Sequence, residues 1–179
     1  MILIGRRPFA VSRYHERQNP EMAASSLARG PVFPLKIHFE HWMGGRLLDA
    51  DAFIDPGADN TILSLRWILE QGGNGRWRTP RRAVQDPRDL DSGLLDEGAT
   101  VEIGGRELAL GAVQRVRVMS QPPMPGFEDI LLGRDFLAAH GLLFVLDGQD
   151  GTFSMLLPID QDNWQRRERI LAELSPPPG

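Results

Sequence analysis

The segment Phe53-Ile54-Asp55-Pro56-Gly57-Ala58-Asp59-Asn60-Thr61-Ile62-Leu63 carries more structural information than any other part of this chain. Leu47 to Ile54 before it has the character of a strand, and Asp55 to Asn60 contains no good central-strand position. A buried strand therefore delivers one carboxylate, Asp55, and must turn at once. Gly57 allows a turn or the close approach of another chain, and Ala58 keeps the neighbouring space small. A single carboxylate in such a place cannot both activate a water and protonate a leaving group. Two held close together can, because both cannot comfortably be ionised and they share one proton.

Upstream, Phe33, Leu35, Ile37 and Phe39 alternate with Pro34, Lys36, His38 and Glu40, the period of a half-buried strand. Pro34 predicts an edge position or the strand's first residues. Met43-Gly44-Gly45-Arg46 fits a hairpin turn into the strand that ends at Ile54. Downstream, Thr61 to Gln71 is expected to be one short helix, with Ile62, Leu65, Ile68 and Leu69 on one side. The arginine-rich, proline-broken run from Asn74 to Asp91 is expected to be an extended, exposed excursion. Ala99–Ile103, Glu107–Leu110 and Val113–Met119 suggest strands, the first two joined by Gly104-Gly105. Ile130–Leu132 is a short apolar strand, and Arg134–His140 one or two helical turns closed by Gly141. Leu142–Leu146 and Thr152–Leu157 flank a hairpin turn, and Asn163–Leu174 is a charged terminal helix. The expected organisation is an arm over residues 1–30, an all-β domain over 31–160, and a helix and tail over 161–179.

The composition agrees with a turn-rich fold: 19 Gly and 14 Pro in 179 residues disfavour a long-helix bundle. The 20 basic and 24 acidic residues leave a net charge of −4, which argues against a nucleic-acid or anionic-membrane binder. With no cysteine, thiol chemistry, disulfides and thiolate metal sites are excluded. The first residues are too broken by Arg and Pro for a signal peptide, and no run reaches the ~20 apolar residues of a membrane span. A cytoplasmic location is the expectation.

Asp55 to Leu63 resembles the Asp-Thr-Gly-Ala-Asp active-site segment of retroviral-type (retropepsin-like) aspartic proteases, with Pro56 in place of the usual Thr or Ser. Asp129-Ile130-Leu131-Leu132-Gly133-Arg134-Asp135-Phe136-Leu137 resembles that family's apolar strand, Gly-Arg and following helix. The resemblance covers roughly residues 31–157. It implies a closed β lobe with short helices, and peptide-bond hydrolysis by a water held between two aspartates, without metal or organic cofactor. By the same resemblance Asp55 is the catalytic aspartate, and Pro56, Gly57 and Ala58 form the active-site loop. Asp59 and Asn60 bind substrate or support that loop, Asp59 pairing with Arg134, while Leu132 and Gly133 pack behind it. A flap is expected within residues 80–95.

Asp91-Ser92-Gly93 is too close to Asp55 to belong to a second lobe and lacks an apolar strand before it; flap or surface turn is the reading. The second aspartate must then be Asp55 of another subunit about a two-fold axis, making the protein a homodimer acting on a peptide or protein. Pro56 stands against this, since it has neither the hydroxyl nor the amide hydrogen that the family uses across the dimer axis. The alternative is a dimeric, catalytically inactive module that binds peptides in the same groove. His38 and His41 lie on a strand and turn that point them apart, so a metal role is not expected. His15 and His140 have no evident partners and are expected at the surface or a helix end, and Trp67 and Phe136 are expected in the core.

Overall fold

The computed structural model describes residues 2–10, 30–40, 45–71, 77–78, 92–95, 98–110, 117–119, 129–157 and the helical positions 162, 165, 166, 168, 169 and 172. In chain order the elements are β1 (Ile2–Pro8), β2 (Val32–Phe39), β3 (Leu47–Ile54), β4 (Ile62–Ser64), α1 (Leu65–Glu70), β5 (Trp77–Arg78), β6 (Ser92–Leu95), β7 (Ala99–Ile103), β8 (Arg106–Ala109), β9 (Arg117–Met119), β10 (Ile130–Leu132), α2 (Arg134–Ala139), β11 (Leu143–Asp147) and β12 (Thr152–Leu156). Nine strands form one sheet in the order β5-β6-β9-β4-β10-β3-β2-β7-β8, and three form a second in the order β1-β12-β11. The architecture is predominantly β. Among the described residues no ladder joins β5 to β8, so the pairing does not itself close the large sheet into a barrel.

The alternation along β2 sets its inward face. Phe33, Leu35, Ile37 and Phe39 are buried while Pro34 and Lys36 are exposed. Pro34 is tolerated because the β2–β7 ladder begins only at Lys36, leaving one flank of the strand unpaired at the proline. Ala50, Ala52 and Ile54 of β3 join the same core, with Val101 and Ile103 of β7. β10 has no alternation: Ile130, Leu131 and Leu132 are all buried, as expected of a strand covered on both faces. It runs parallel to β3 and antiparallel to β4. Gly104 and Gly105 both have positive φ, 57° and 72°, so the two-residue turn between β7 and β8 is of the primed kind that Gly-Gly favours.

Three expectations are revised. Thr61–Gln71 is not a single helix: Ile62–Ser64 is strand β4, held between β10 and β9, and the helix starts at Leu65. Two ladders outweigh the helical spacing of Ile62 and Leu65, and the Ser64 hydroxyl then caps the helix by accepting the Trp67 N–H at 3.3 Å. Ser92-Gly93 is not a turn but part of β6, paired with β9. In the first thirty residues, Ile2–Pro8 forms a strand on β12, with Ile4 buried in the core. Its register slips twice, between Ile2 and Ile4 and between Ile4 and Arg7, which erases the period of two in the sequence. Residues 79–91, where most of the expected flap falls, lie outside the described residues, as do His15 and His41.

Candidate active site

Asp55 is placed by the ladder that precedes it. β3 and β10 run in parallel register to Ile54 and Leu132, and the Asp55 N–H donates to the Leu132 carbonyl at 3.0 Å. The chain then turns: the Ala58 N–H donates to the Asp55 carbonyl at 3.1 Å, closing a four-residue turn with Pro56 and Gly57 at its centre. Pro56 occupies the position where a fixed φ suits such a turn, and its missing N–H costs this turn nothing. One Asp55 carboxylate oxygen, Oδ1, accepts the Gly57 N–H at 2.8 Å. A Cβ at residue 57 would lie 3.0 Å from that same oxygen, so glycine here leaves room for the carboxylate itself. Asp55 is half-buried, and Pro56 and Gly57 are exposed.

Three links fix the turn to the β10–α2 junction. The Arg134 N–H donates to the Ala58 carbonyl at 2.9 Å. The Gly133 N–H donates to Thr61 Oγ1 at 3.2 Å, and the Thr61 hydroxyl donates to Asp135 Oδ1 at 2.7 Å. The third link is the ion pair of Arg134 with Asp59, whose side chains are 62% and 72% exposed. Gly133 is where the two segments touch most closely: a Cβ there would be 2.6 Å from the backbone C and O of Asn60. Its φ of −88° suits any residue, so space and not conformation demands glycine.

The residues singled out in the sequence are thus brought together. Asp55, Pro56, Gly57 and Ala58 form the turn; Leu132 and Gly133 lie buried behind it; Asp59, Asn60 and Arg134 flank it. Sequence reasoning assigned no role to Thr61 and Asp135, yet they supply the buried link. The available signal was a hydroxyl and a carboxylate, each inside one of the two motifs. Asp129 was likewise passed over: its Oδ2 accepts the Asp51 N–H at 2.7 Å and its carbonyl accepts the Ser64 N–H at 2.9 Å, joining β3 and β4 to the start of β10. His140, for which the sequence shows no partner, stands at the end of α2 with Nε2 2.8 Å from the Ala109 carbonyl and its ring against Phe136. A separate concavity of about 500 Å³, lined by His38, Leu47, Thr100, Glu102 and Glu107, sits on β2, β3, β7 and β8 and includes no residue of the Asp55 turn.

Chemically, the turn offers one carboxylate with one oxygen oriented by a backbone N–H. Among the described residues no hydrogen bond joins Asp55 to a second carboxylate, and no group of three or more metal-ligating side chains occurs.

No protein-family model matches the chain, and no curated protein matches it. Solved structures similar to it include the EIAV protease complexed with the inhibitor HBY-793, at 20% identity and TM-score 0.41, covering 65% of this chain and 93% of that one. The retroviral protease-like domain of Ddi1 from Leishmania major is similar at 16% identity and TM-score 0.44, covering 74% and 98%. A retropepsin-like aspartic protease from Rickettsia conorii is similar at 15% identity and TM-score 0.43, covering 87% and 93%. These are likenesses of fold at low identity. What Asp55 does in this chain depends on its own surroundings.

Proposed function

We propose that the protein is an aspartic endopeptidase in which Asp55 of each of two subunits shares one proton and activates a water against a peptide bond. The observation that supports this reading most is the Asp55 turn. A half-buried carboxylate sits at the end of a core strand with one oxygen held by the Gly57 N–H, and the turn is tied to the β10–α2 junction at Ala58 and Thr61. Such fixed placement is what general acid–base work requires. In the proposed step the ionised carboxylate takes a proton from the water as it attacks the carbonyl carbon. The protonated partner donates to the carbonyl oxygen. Collapse of the tetrahedral adduct breaks the C–N bond, the amine leaving with a proton. Neither step calls on a metal or an organic cofactor.

The test is a peptide-library digest across about pH 3 to 8 with the native chain and Asp55→Asn. Native protein is expected to show a bell-shaped profile, because the dyad works only with one proton between its two carboxylates. Asp55→Asn is expected to lower turnover by about a hundredfold or more. Cleavage that survives Asp55→Asn unchanged removes this mechanism.

Pro56 favours a second reading, that of a peptide-binding module without hydrolysis. The exposed proline ring offers no hydroxyl or N–H to a facing subunit, whatever it does for its own turn. Peptide binding with no cleavage at any pH is the outcome that selects this reading.

A further inference from the structure

The concavity on β2, β3, β7 and β8 is built on the outward face of the large sheet. Leu47, His38 and Thr100 are neighbours across three strands, and so are Lys36, Glu102 and Glu107. Residues paired in this way share a face, and their chain neighbours Ile37, Val101 and Leu108 are buried on the other one. The hollow holds about 500 Å³, in the range of sites that enclose a small molecule or a few side chains. Gly45 stands at one end of it and Gly105, in the turn after β7, at the other. A Cβ on Gly45 would lie 3.6 Å from His38 Nε2, so the imidazole belongs to the first end. The carboxylates belong to the second, where Glu102 and Glu107 stand directly opposite each other one step from the pair that closes the turn. Like charges so placed repel. Thr100 donates its hydroxyl to Glu107 at 2.7 Å, but no lysine or arginine lines the hollow. Lys36, opposite Glu102 on one side, is opposite Asp49 on the other, so one cation serves three carboxylates.

We propose that this hollow binds an arginine side chain of a partner peptide, with the guanidinium between Glu102 and Glu107. Charge selects a cation, and the rest of the hollow selects which one. A bare metal ion fits poorly: the volume far exceeds it, and among the described residues no group of three or more ligating side chains is placed to hold one. A guanidinium is planar, carries five N–H donors and can bond two carboxylates at once, which an ammonium does less well. Leu47, 56% exposed, supplies the apolar wall along which the arginine's methylene stem or an adjoining apolar residue would lie. The partner is therefore a peptide that presents arginine beside an apolar residue. The site is separate from the Asp55 turn. Leu47 and Ile54 are the two ends of β3, about 23 Å apart for a strand of that length. A short peptide seated in the hollow does not reach Asp55, so the inference does not depend on the peptidase reading.

The experiment is fluorescence anisotropy with a short labelled peptide of alternating arginine and leucine, titrated with the full chain carrying Asp55→Asn so that nothing is cut. Saturable binding is expected, and citrulline in place of arginine, which keeps the shape and loses the charge, is expected to abolish it. Glu102→Gln/Glu107→Gln is expected to weaken binding about tenfold with unchanged far-UV circular dichroism. Asp49→Asn removes a charge from the same face outside the hollow and is expected to weaken it less than about twofold. Amide chemical-shift changes in isotopically labelled protein locate the peptide independently: they are expected at Gly45, Leu47 and Gly105 and not at Gly57. No saturable binding, equal binding of the citrulline peptide, an Asp49→Asn effect as large as the double variant's, or shifts centred on Gly57 overturns the inference. The peptidase reading is scored separately. Binding in the hollow by a protein whose native form cuts no peptide leaves this site standing without the peptidase. Cleavage by the native chain with no binding in the hollow removes this site alone.

Discussion

The Asp55 turn is braced on two sides, and the braces differ in kind. On the solvent side Asp59 and Arg134 form an ion pair with both side chains more than half exposed. On the core side the fully buried Thr61 hydroxyl accepts from Gly133 and donates to Asp135, with Gly133 wedged against Asn60. The exposed pair draws the eye because it joins opposite charges from two motifs. Water and counter-ions screen it, and ordering the long Arg134 side chain costs entropy, so pairs of this kind contribute little. The buried link involves one hydroxyl, but a group orphaned there has no water to turn to. The difference teaches that the turn is held mainly from behind, through the buried Thr61 hydroxyl.

The sharpest way to break this contrast is Gly133→Ala. Its new methyl group would meet backbone atoms of Asn60 at 2.6 Å and Ala58 at 3.0 Å, neither of which can swing aside as a side chain would. A loss of about 3 kcal/mol in denaturant-unfolding stability is expected, at the upper end of overpacking costs. A loss below about 1 kcal/mol would mean that the two segments are looser than their contact implies.

Next comes Thr61→Val, which keeps the shape and deletes the hydroxyl. It leaves the buried Gly133 N–H without its acceptor and Asp135 without one donor, so a loss of about 1 to 3 kcal/mol is expected. Thr61→Ser, retaining the hydroxyl, should recover part of it. Equal losses for Val and Ser would assign the effect to packing and not to the link.

The smallest effect belongs to the exposed pair. A double-mutant cycle with Asp59→Asn and Arg134→Ala should return a coupling of about 0.2 to 1 kcal/mol, falling as salt is added. A coupling that matches the Thr61→Val loss and resists salt would reverse the ranking of the two braces.

Much of this was legible in the sequence. The period of two along Phe33, Leu35, Ile37 and Phe39 fixed a strand because burial alternates with it residue by residue. The unbroken Ile130-Leu131-Leu132 and the glycines at 104, 105 and 141 marked their elements locally. The site's residues were named from two motifs, and the ladder of β3 with β10 brings those motifs side by side. Less legible was anything whose cause is distant. β1 has no clean period because its register slips, and its partner β12 lies at the far end of the chain. β4 carries helical spacing, and only its two neighbouring ladders make it a strand.

The sequence by itself determined that one carboxylate, Asp55, follows an apolar strand and stands in a tight turn, because strand period and turn chemistry are local properties. The tertiary structure decided which groups hold that turn. Exposure separates a screened ion pair from a buried hydroxyl link, and exposure is set by the packing of segments more than seventy residues apart. It also decided that β11 and β1 stand at the two ends of the small sheet among the described residues, since an edge exists only once the strands have been ordered into a sheet.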